Sequence, residues 1–291
     1  TVELRLGARE ILRLARGRGA PRMREQGRQP EQDPEVIEVP LLEADGLRWW
    51  PLQRVSAEKL SYERFLLDFA FPKVPFILTG ADALWPARTL WTDLDYFLES
   101  PRVDRSFAAA LSTHRGPFDP QPAEAQVTVG AALRELQQRG ERGSSTMSSQ
   151  PKYLACWPYF CPGNSEALDA DVRPLPALFD RCPASLADSA ALKWPGRKMK
   201  WLFIGEAGSA TRTHFDVINS SAWLWCARGC KEWRCLHGGD HHLIPRADLE
   251  AGCLPELFLP DPGRHPWLRG ARLYCGRQEA GDVMYTPPSV L

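Results

Sequence analysis

Beyond Lys198 the chain breaks into short apolar runs, each bounded by Gly, Pro or polar residues. The runs fall at 200–205, 221–227, 231–236, 271–275 and 282–286. Each is long enough for a strand and too short for a stable helix. A succession of this kind builds an antiparallel sandwich or barrel. Arg228-Gly229-Cys230 reads as a hairpin turn between two of the runs. The 26 Pro and 11 Trp among 291 residues also favour a loop-rich, strand-rich fold over a helical bundle.

The preceding part has a different pattern. Residues 61–71 predict a helix with Phe65, Leu66 and Phe69 on one face, stopped at Pro72. Residues 74–80 predict a strand closed by Gly80. Thr92 and Asp95 form a capping box for a helix through Leu98. A further helix is expected over 128–139, with Gly140 as its stop. Four segments result: a basic arm and linker over 1–40, a helical lead-in over 41–140, a Gly/Ser-rich loop over 141–150 and a barrel over 151–291. The arm carries eight Arg against three Glu within residues 1–29. An ordinary solvated helix over 2–18 competes there with a basic tail, a transit remnant or part of an upstream domain. The first residue is Thr rather than Met. The chain is therefore expected to be a piece of a longer product.

Composition narrows the function classes. Hydrophobic residues make up 44% and charged residues 25%, as in ordinary globular proteins. The formal net charge is zero, so no overall basic field argues for nucleic acid as a partner. No apolar run approaches the roughly 18 residues of a membrane span. The eight Cys follow no repeating framework. Reduced thiols inside the cell, in nucleus or cytoplasm, are the expectation.

His214-Phe215-Asp216 lies in the strand-rich half. On a strand, residues two apart share a face. One imidazole and one carboxylate make two thirds of the 2-His-1-carboxylate set, which leaves positions on Fe(II) open for substrate and oxygen. A rival cluster, Cys230, Cys235, His237, His241 and His242, matches no common zinc spacing. Cys230 and Cys235 are an odd number apart and would face opposite sides of one strand. A surface loop over 236–245 is the better reading of that cluster.

Thr211-x-x-His214-x-Asp216, Ser221-Ala222-Trp223 and Gly229-x-Lys231-x-Trp233 together resemble the jumonji-C (JmjC) branch of the cupin-fold 2-oxoglutarate oxygenases. Among these, the lysyl-hydroxylase-type members look most similar. Residues 65–80 resemble the segment that precedes the barrel in this family, and the likeness extends over about 51–291. It implies a mainly β, α+β fold: a double-stranded β-helix of the cupin or jelly-roll kind behind a helical lead-in. It further implies Fe(II) as cofactor, with 2-oxoglutarate and O2 as cosubstrates. His214 and Asp216 would hold the metal. Thr211 and Lys231 would hold the distal carboxylate of 2-oxoglutarate, with Tyr153 as a further contact. A hydroxyl and an ammonium are suited to that task, because charge-assisted bonds to carboxylates are short and strong. Trp201, Phe203, Trp223 and Trp233 supply apolar walls or core packing. The implied substrate is a protein side chain, with lysine hydroxylation favoured over N-methyl-lysine demethylation.

Gly281-Asp282-Val-Met-Tyr285-Thr-Pro287 reproduces the strand that leads to the family's second metal His. In that register the His falls about one residue past Leu291, so the barrel is expected to be incomplete at its C-terminus. A fragment of an active oxygenase, a catalytically inactive cupin scaffold or binding module, and a site completed by another residue all remain open at this point.

Overall fold

The computed structural model describes residues 42–44, 46–114, 122–141, 150–159, 164–174, 178, 200–216 and 220–289. The basic arm, most of the Gly/Ser-rich loop and the final two residues lie outside them. The described strands are, in chain order, β1 (Leu42–Ala44), β2 (Leu47–Pro51), β3 (Gln53–Ser56), β4 (Phe76–Thr79), β5 (Ala108–Thr113), β6 (Ala123–Thr128), β7 (Lys152–Trp157), β8 (Leu202–Gly205), β9 (Ala222–Trp225), β10 (Cys230–Leu236), β11 (Leu273–Glu279) and β12 (Val283–Thr286). They form three four-stranded sheets with orders β1-β2-β11-β10, β3-β4-β12-β9 and β6-β5-β7-β8. All five strand expectations beyond Lys198 are met.

The first two sheets share one core. Leu52, between β2 and β3, is the corner where the chain passes from one sheet to the other. Its N–H donates to the Cys275 carbonyl at 2.8 Å, and its side chain packs with Ile77, Cys235 and Met284. Cys235 and Ile77 are each 1% exposed and Met284 is fully covered. Cys230, on the same strand as Cys235, is exposed, as the odd spacing requires. β12 is central to the second sheet, antiparallel to β4 and β9, with Tyr285 opposite both Phe76 and Trp223.

An aromatic cluster joins the lead-in to that sheet. Ser61 Oγ accepts from the Arg64 N–H at the start of α1 (Tyr62–Phe65). The helix then widens into a π turn, Leu66–Ala70, with Phe71 N–H reaching the Leu66 carbonyl at 2.9 Å. The two buried rings on this segment are Phe65 and Phe69. Phe65 meets Tyr285 edge-on at 5.1 Å, and Phe69 lies 4.0 Å from Phe76. Such pairs add to the area they bury.

The third sheet turns Leu111 and Leu154 towards a helix over Val129–Glu141, whose Val129, Ala132, Leu133 and Leu136 are buried against it. Thr128 Oγ1 accepts from the Ala131 N–H at its start.

Several local expectations need correction. The cap of the helix Leu94–Glu99 is Asp93, whose carboxylate accepts from the Asp95 N–H at 3.0 Å. Thr92 instead donates back to the Thr89 carbonyl, so it closes the preceding turn. Gly140 lies inside the last helical turn, which continues to Glu141. Arg228-Gly229 turns the chain between β9 and β10, but those strands pair with β12 and β11 in different sheets. It is a corner and not a hairpin, with Gly229 at φ +75°. The segment 211–216 is irregular and not strand.

Candidate metal centre and its pocket

His214 and Asp216 converge although they are not on a strand. His214 Nδ1 lies 2.7 Å from the Arg212 carbonyl. A carbonyl only accepts, so Nδ1 carries a proton, and in the neutral ring Nε2 keeps its lone pair. That nitrogen stands 3.8 Å from Asp216 Oδ1. Two donors each about 2 Å from one divalent ion can lie no more than about 4 Å apart. The pair is therefore within reach of a shared cation, with the imidazole in the tautomer a metal needs. Asp216 Oδ2 accepts from Thr286 Oγ1 at 3.3 Å, which leaves Oδ1 turned towards the histidine. Burial pushes the Asp216 carboxyl above the usual carboxylate range, while His214 and the Thr286 bond oppose that rise. A carboxylate in that condition gains from a neighbouring cation. His214 is more open, with 57% of its side chain exposed. Among the described residues no group of three His, Cys, Asp or Glu side chains is placed to hold a metal.

Of the other expected residues, Tyr153 and Lys231 lie on strands and Thr211 lies on the irregular 211–216 segment. Tyr153 on β7 is buried, and its hydroxyl is 3.1 Å from Thr211 Oγ1. Gly205 on β8 is its partner across the ladder. A Cβ at Gly205 would come 2.6 Å from the Tyr153 ring, so the absence of a side chain is what lets the ring cross the strand. The Tyr153 ring lies 6.3 Å from Phe203, and Lys231 Nζ sits 5.5 Å from the rings of both Phe203 and Trp233. Thr211, Tyr153, Phe203 and Lys231 thus form one chain of contacts. Burial pulls the Lys231 ammonium below the usual lysine range, against an opposing pull from the Cys226 and Cys156 thiols. Among the described residues Lys231 has no ion-pair partner. The aromatic faces stabilise it by cation–π attraction.

The expected aromatic walls divide. Phe203 and Trp233 flank Lys231, while Trp223 packs at 4.6 Å on Tyr285 in the core. The histidines of the rival cluster are engaged separately. His237 Nδ1 accepts from the Gly239 N–H, His241 packs at a tilt against Phe215, and Cys235 is buried between the sheets.

Two neighbours of the site escaped the reading of the sequence. Thr286 lies within the Tyr285-Thr-Pro287 run, but its bond to Asp216 joins residues 70 positions apart. Cys156 occupies a bulge in β7 with φ +54°. The residue is exposed overall, yet burial is the largest influence raising its thiol. Asp216 and Glu124 add to that rise and Lys231 opposes it. No periodicity marks a bulge at a Cys, so no sequence signal pointed there.

Residues 62–290 match the cupin-like domain family. A protein of Caenorhabditis briggsae named bifunctional arginine demethylase and lysyl-hydroxylase psr-1 is 25% identical over 256 residues, covering 81% of this chain and 56% of that protein. Its Caenorhabditis elegans namesake is 23% identical over the same length. The arginine-specific demethylase JMJ22 of Arabidopsis thaliana is 25% identical over 222 residues, 74% of this chain and 33% of its own length. The chain spans little more than half of the nematode relatives. The three sheets and these similarities agree with the mainly β, α+β fold expected from the sequence, although the stretch expected as a helical lead-in also carries the six strands β1 to β6: the chain belongs to the cupin-like domain family.

Proposed function

We propose that this chain is the cupin portion of an Fe(II)- and 2-oxoglutarate-dependent oxygenase acting on a protein side chain, with lysine hydroxylation favoured over N-methyl-lysine demethylation. The observation that carries the reading is the free Nε2 of His214, 3.8 Å from Asp216 Oδ1, beside a pocket that holds Lys231 without an acidic partner. His214 and Asp216 are the metal-holding residues. Lys231 and Thr211 receive the distal carboxylate of 2-oxoglutarate, with Tyr153 placing the Thr211 hydroxyl. Bound iron and 2-oxoglutarate would supply oxidation of an unactivated C–H bond, with succinate as coproduct. The protein's part is to orient both and to exclude water. Phe203 and Trp233 keep the surroundings of Lys231 apolar, which strengthens its attraction for a carboxylate.

A second reading is a catalytically inactive cupin scaffold. Its support is the set of two, not three, converging donors among the described residues.

One assay separates the readings. The full-length protein is supplied with Fe(II), 2-oxoglutarate and matched peptides bearing lysine, methyl-lysine or methyl-arginine. Succinate release coupled to a gain of one oxygen on unmodified lysine is the expected result. Loss of a methyl group instead, from lysine or from arginine, would move the chain to the demethylases. No succinate with any peptide, from folded protein that retains iron, would sink the oxygenase reading.

A further inference from the structure

We infer that Thr213, clamped by Glu256 and Leu257 on the long connection between β10 and β11, is a positioning residue that sets the geometry of the His214–Asp216 pair. The inference rests on the metal-holding role proposed above for that pair. Contacts along the irregular segment alternate. His214 and Asp216 converge on each other, with 3.8 Å between Nε2 and Oδ1. Thr213 and Phe215 engage the connection instead. The Leu257 N–H donates to Thr213 Oγ1 at 3.2 Å, and that hydroxyl faces Glu256 Oε1 at 3.4 Å. Phe215 packs against the cluster that contains Ile244, Leu257 and Leu268.

The connection, residues 237–272, has the rigidity a clamp needs. Its ends are tied together: the His237 N–H donates to the Arg272 carbonyl at 2.9 Å, and the Asp240 carboxylate accepts from the Arg272 N–H at 2.7 Å. Between them lie the turn Gly238–Leu243, the helix Arg246–Glu250 and the turn Pro266–Gly270. Ile244, Leu257 and Leu268 are buried beneath these elements. A packed core of this kind yields little to local strain.

Hydrogen-bond accounting gives the clamp its direction. A Thr hydroxyl has one proton to donate. The Leu257 N–H occupies an acceptor position on Thr213 Oγ1, so the proton is left for Glu256 Oε1. That oxygen also accepts from the Phe258 N–H at 3.2 Å. Glu256 Oε2 is shut off from solvent and has no hydrogen-bond partner among the described residues. A bare buried carboxylate oxygen costs stability, and such costs gather where function constrains a side chain. Among the described residues no three donors are placed to hold a metal, so Glu256 acts through Thr213 and not as a third ligand. The effect on the metal pair is direct. The Arg212 carbonyl that accepts from His214 Nδ1 belongs to the planar peptide unit on the N-terminal side of the Thr213 Cα. The next peptide unit carries His214 itself. Fixing Thr213 therefore fixes both the imidazole and its anchor.

The experiment titrates the full-length protein with Co(II), followed by visible absorption. The titration gives affinity and the band shape reports ligand geometry. Thr213→Val should weaken binding by about tenfold and alter the band, as expected for two lost hydrogen bonds. Thr213→Ser should return both to within about twofold of wild type. Glu256→Ala should weaken binding, and Glu256→Gln, which keeps an acceptor oxygen, should restore most of it. Combined with Thr213→Val, Glu256→Ala should add little, because the two residues act as one unit. Leu133→Ala, which opens a cavity under the third sheet, controls for lost stability alone. Folded Thr213→Val with wild-type affinity and band overturns the inference. So does an equal loss in Leu133→Ala, or losses at Thr213 and Glu256 that simply add. A loss in Glu256→Gln as large as in Glu256→Ala would place the effect in the charge and overturn the clamp. If Thr213→Val does not fold, the two Glu256 variants decide from the other end of the contact. Wild-type protein that takes up no Co(II) would sink the metal reading itself, and the inference with it. That outcome is distinct from unresponsive variants of a wild type that binds.

Discussion

The two halves of the candidate site are built differently. Lys231 belongs to β10, which is laddered to β11 over seven residue pairs, and its ammonium is flanked by two aromatic rings. His214 and Asp216 lie in irregular chain, and His214 is more than half exposed. The strand-borne half owes its shape to the sheet core beneath it. The loop-borne half is tied by scattered contacts among the described residues: His214 Nδ1 to the Arg212 carbonyl, Asp216 Oδ2 to Thr286, Thr213 Oγ1 to the Leu257 N–H, and Phe215 against the Leu236 cluster. A ladder fixes where a side chain points before any ligand arrives. A loop tied by scattered single contacts depends on them and on the ion it would hold.

The largest expected effect breaks the looser half outright. Asp216→Ala removes one of the two donors that converge among the described residues. Metal affinity of the full-length protein, measured anaerobically by calorimetry with Fe(II), should fall by at least about a hundredfold, since even changes one shell further out cost about 10- to 100-fold. Thermal stability should change little, because Asp216 is not part of a core cluster. Unchanged metal affinity would show that the pair is not a metal site.

Lys231→Ala tests the rigid half. Loss of a charge-assisted bond should raise the KM for 2-oxoglutarate by about 10- to 100-fold while leaving metal affinity near wild type. The pH profile sharpens the assignment. Burial lowers the Lys231 pKa, and the protonated form is the one that attracts a carboxylate. The KM for 2-oxoglutarate should therefore rise as pH climbs through that lowered value, before an ordinary lysine would titrate. Stability runs the other way. The unfolded chain holds this proton at pH values where the folded chain has released it, so unfolding free energy gains with rising pH across that window. It is lost again as pH falls through the folded-state value. Lys231→Met should flatten both slopes.

The same contrast explains what could be read in advance. Strands β8 to β12 were legible because alternation, Gly and Pro report local geometry directly. The odd spacing of Cys230 and Cys235 correctly placed one inside and one outside. That Lys231 lies on a strand just after a Gly turn was legible from the sequence, although the turn proved to be a corner between sheets. The irregular path of 211–216 was not, since its apolar and β-branched residues imitate a strand. The spacing of Thr92 to Asp95 reads as a capping box, yet the backbone starts the helix one residue later, with Asp93 as its cap. The burial of His114 at the end of β5, with neither ring nitrogen paired among the described residues, is a tertiary outcome that depends on β5 meeting β7.

The smallest expected effect addresses how the loop half is held. Thr286 is 8% exposed and belongs to β12, the strand that also supplies Met284 and Tyr285 to the core. Its hydroxyl links that rigid strand to Asp216 and has a second contact to the Ala222 carbonyl at 3.4 Å. Thr286→Val keeps the shape and removes the hydroxyl. Both its bonds are long, so the loss should be near the lower end of a neutral hydrogen bond, about 0.5 kcal/mol each. Asp216 would then be free to turn. Metal affinity should fall by only about two- to tenfold, and Thr286→Ser should recover most of it. A drop as large as that of Asp216→Ala would mean that the strand, not the loop, sets the metal geometry, and the contrast between the two halves would vanish.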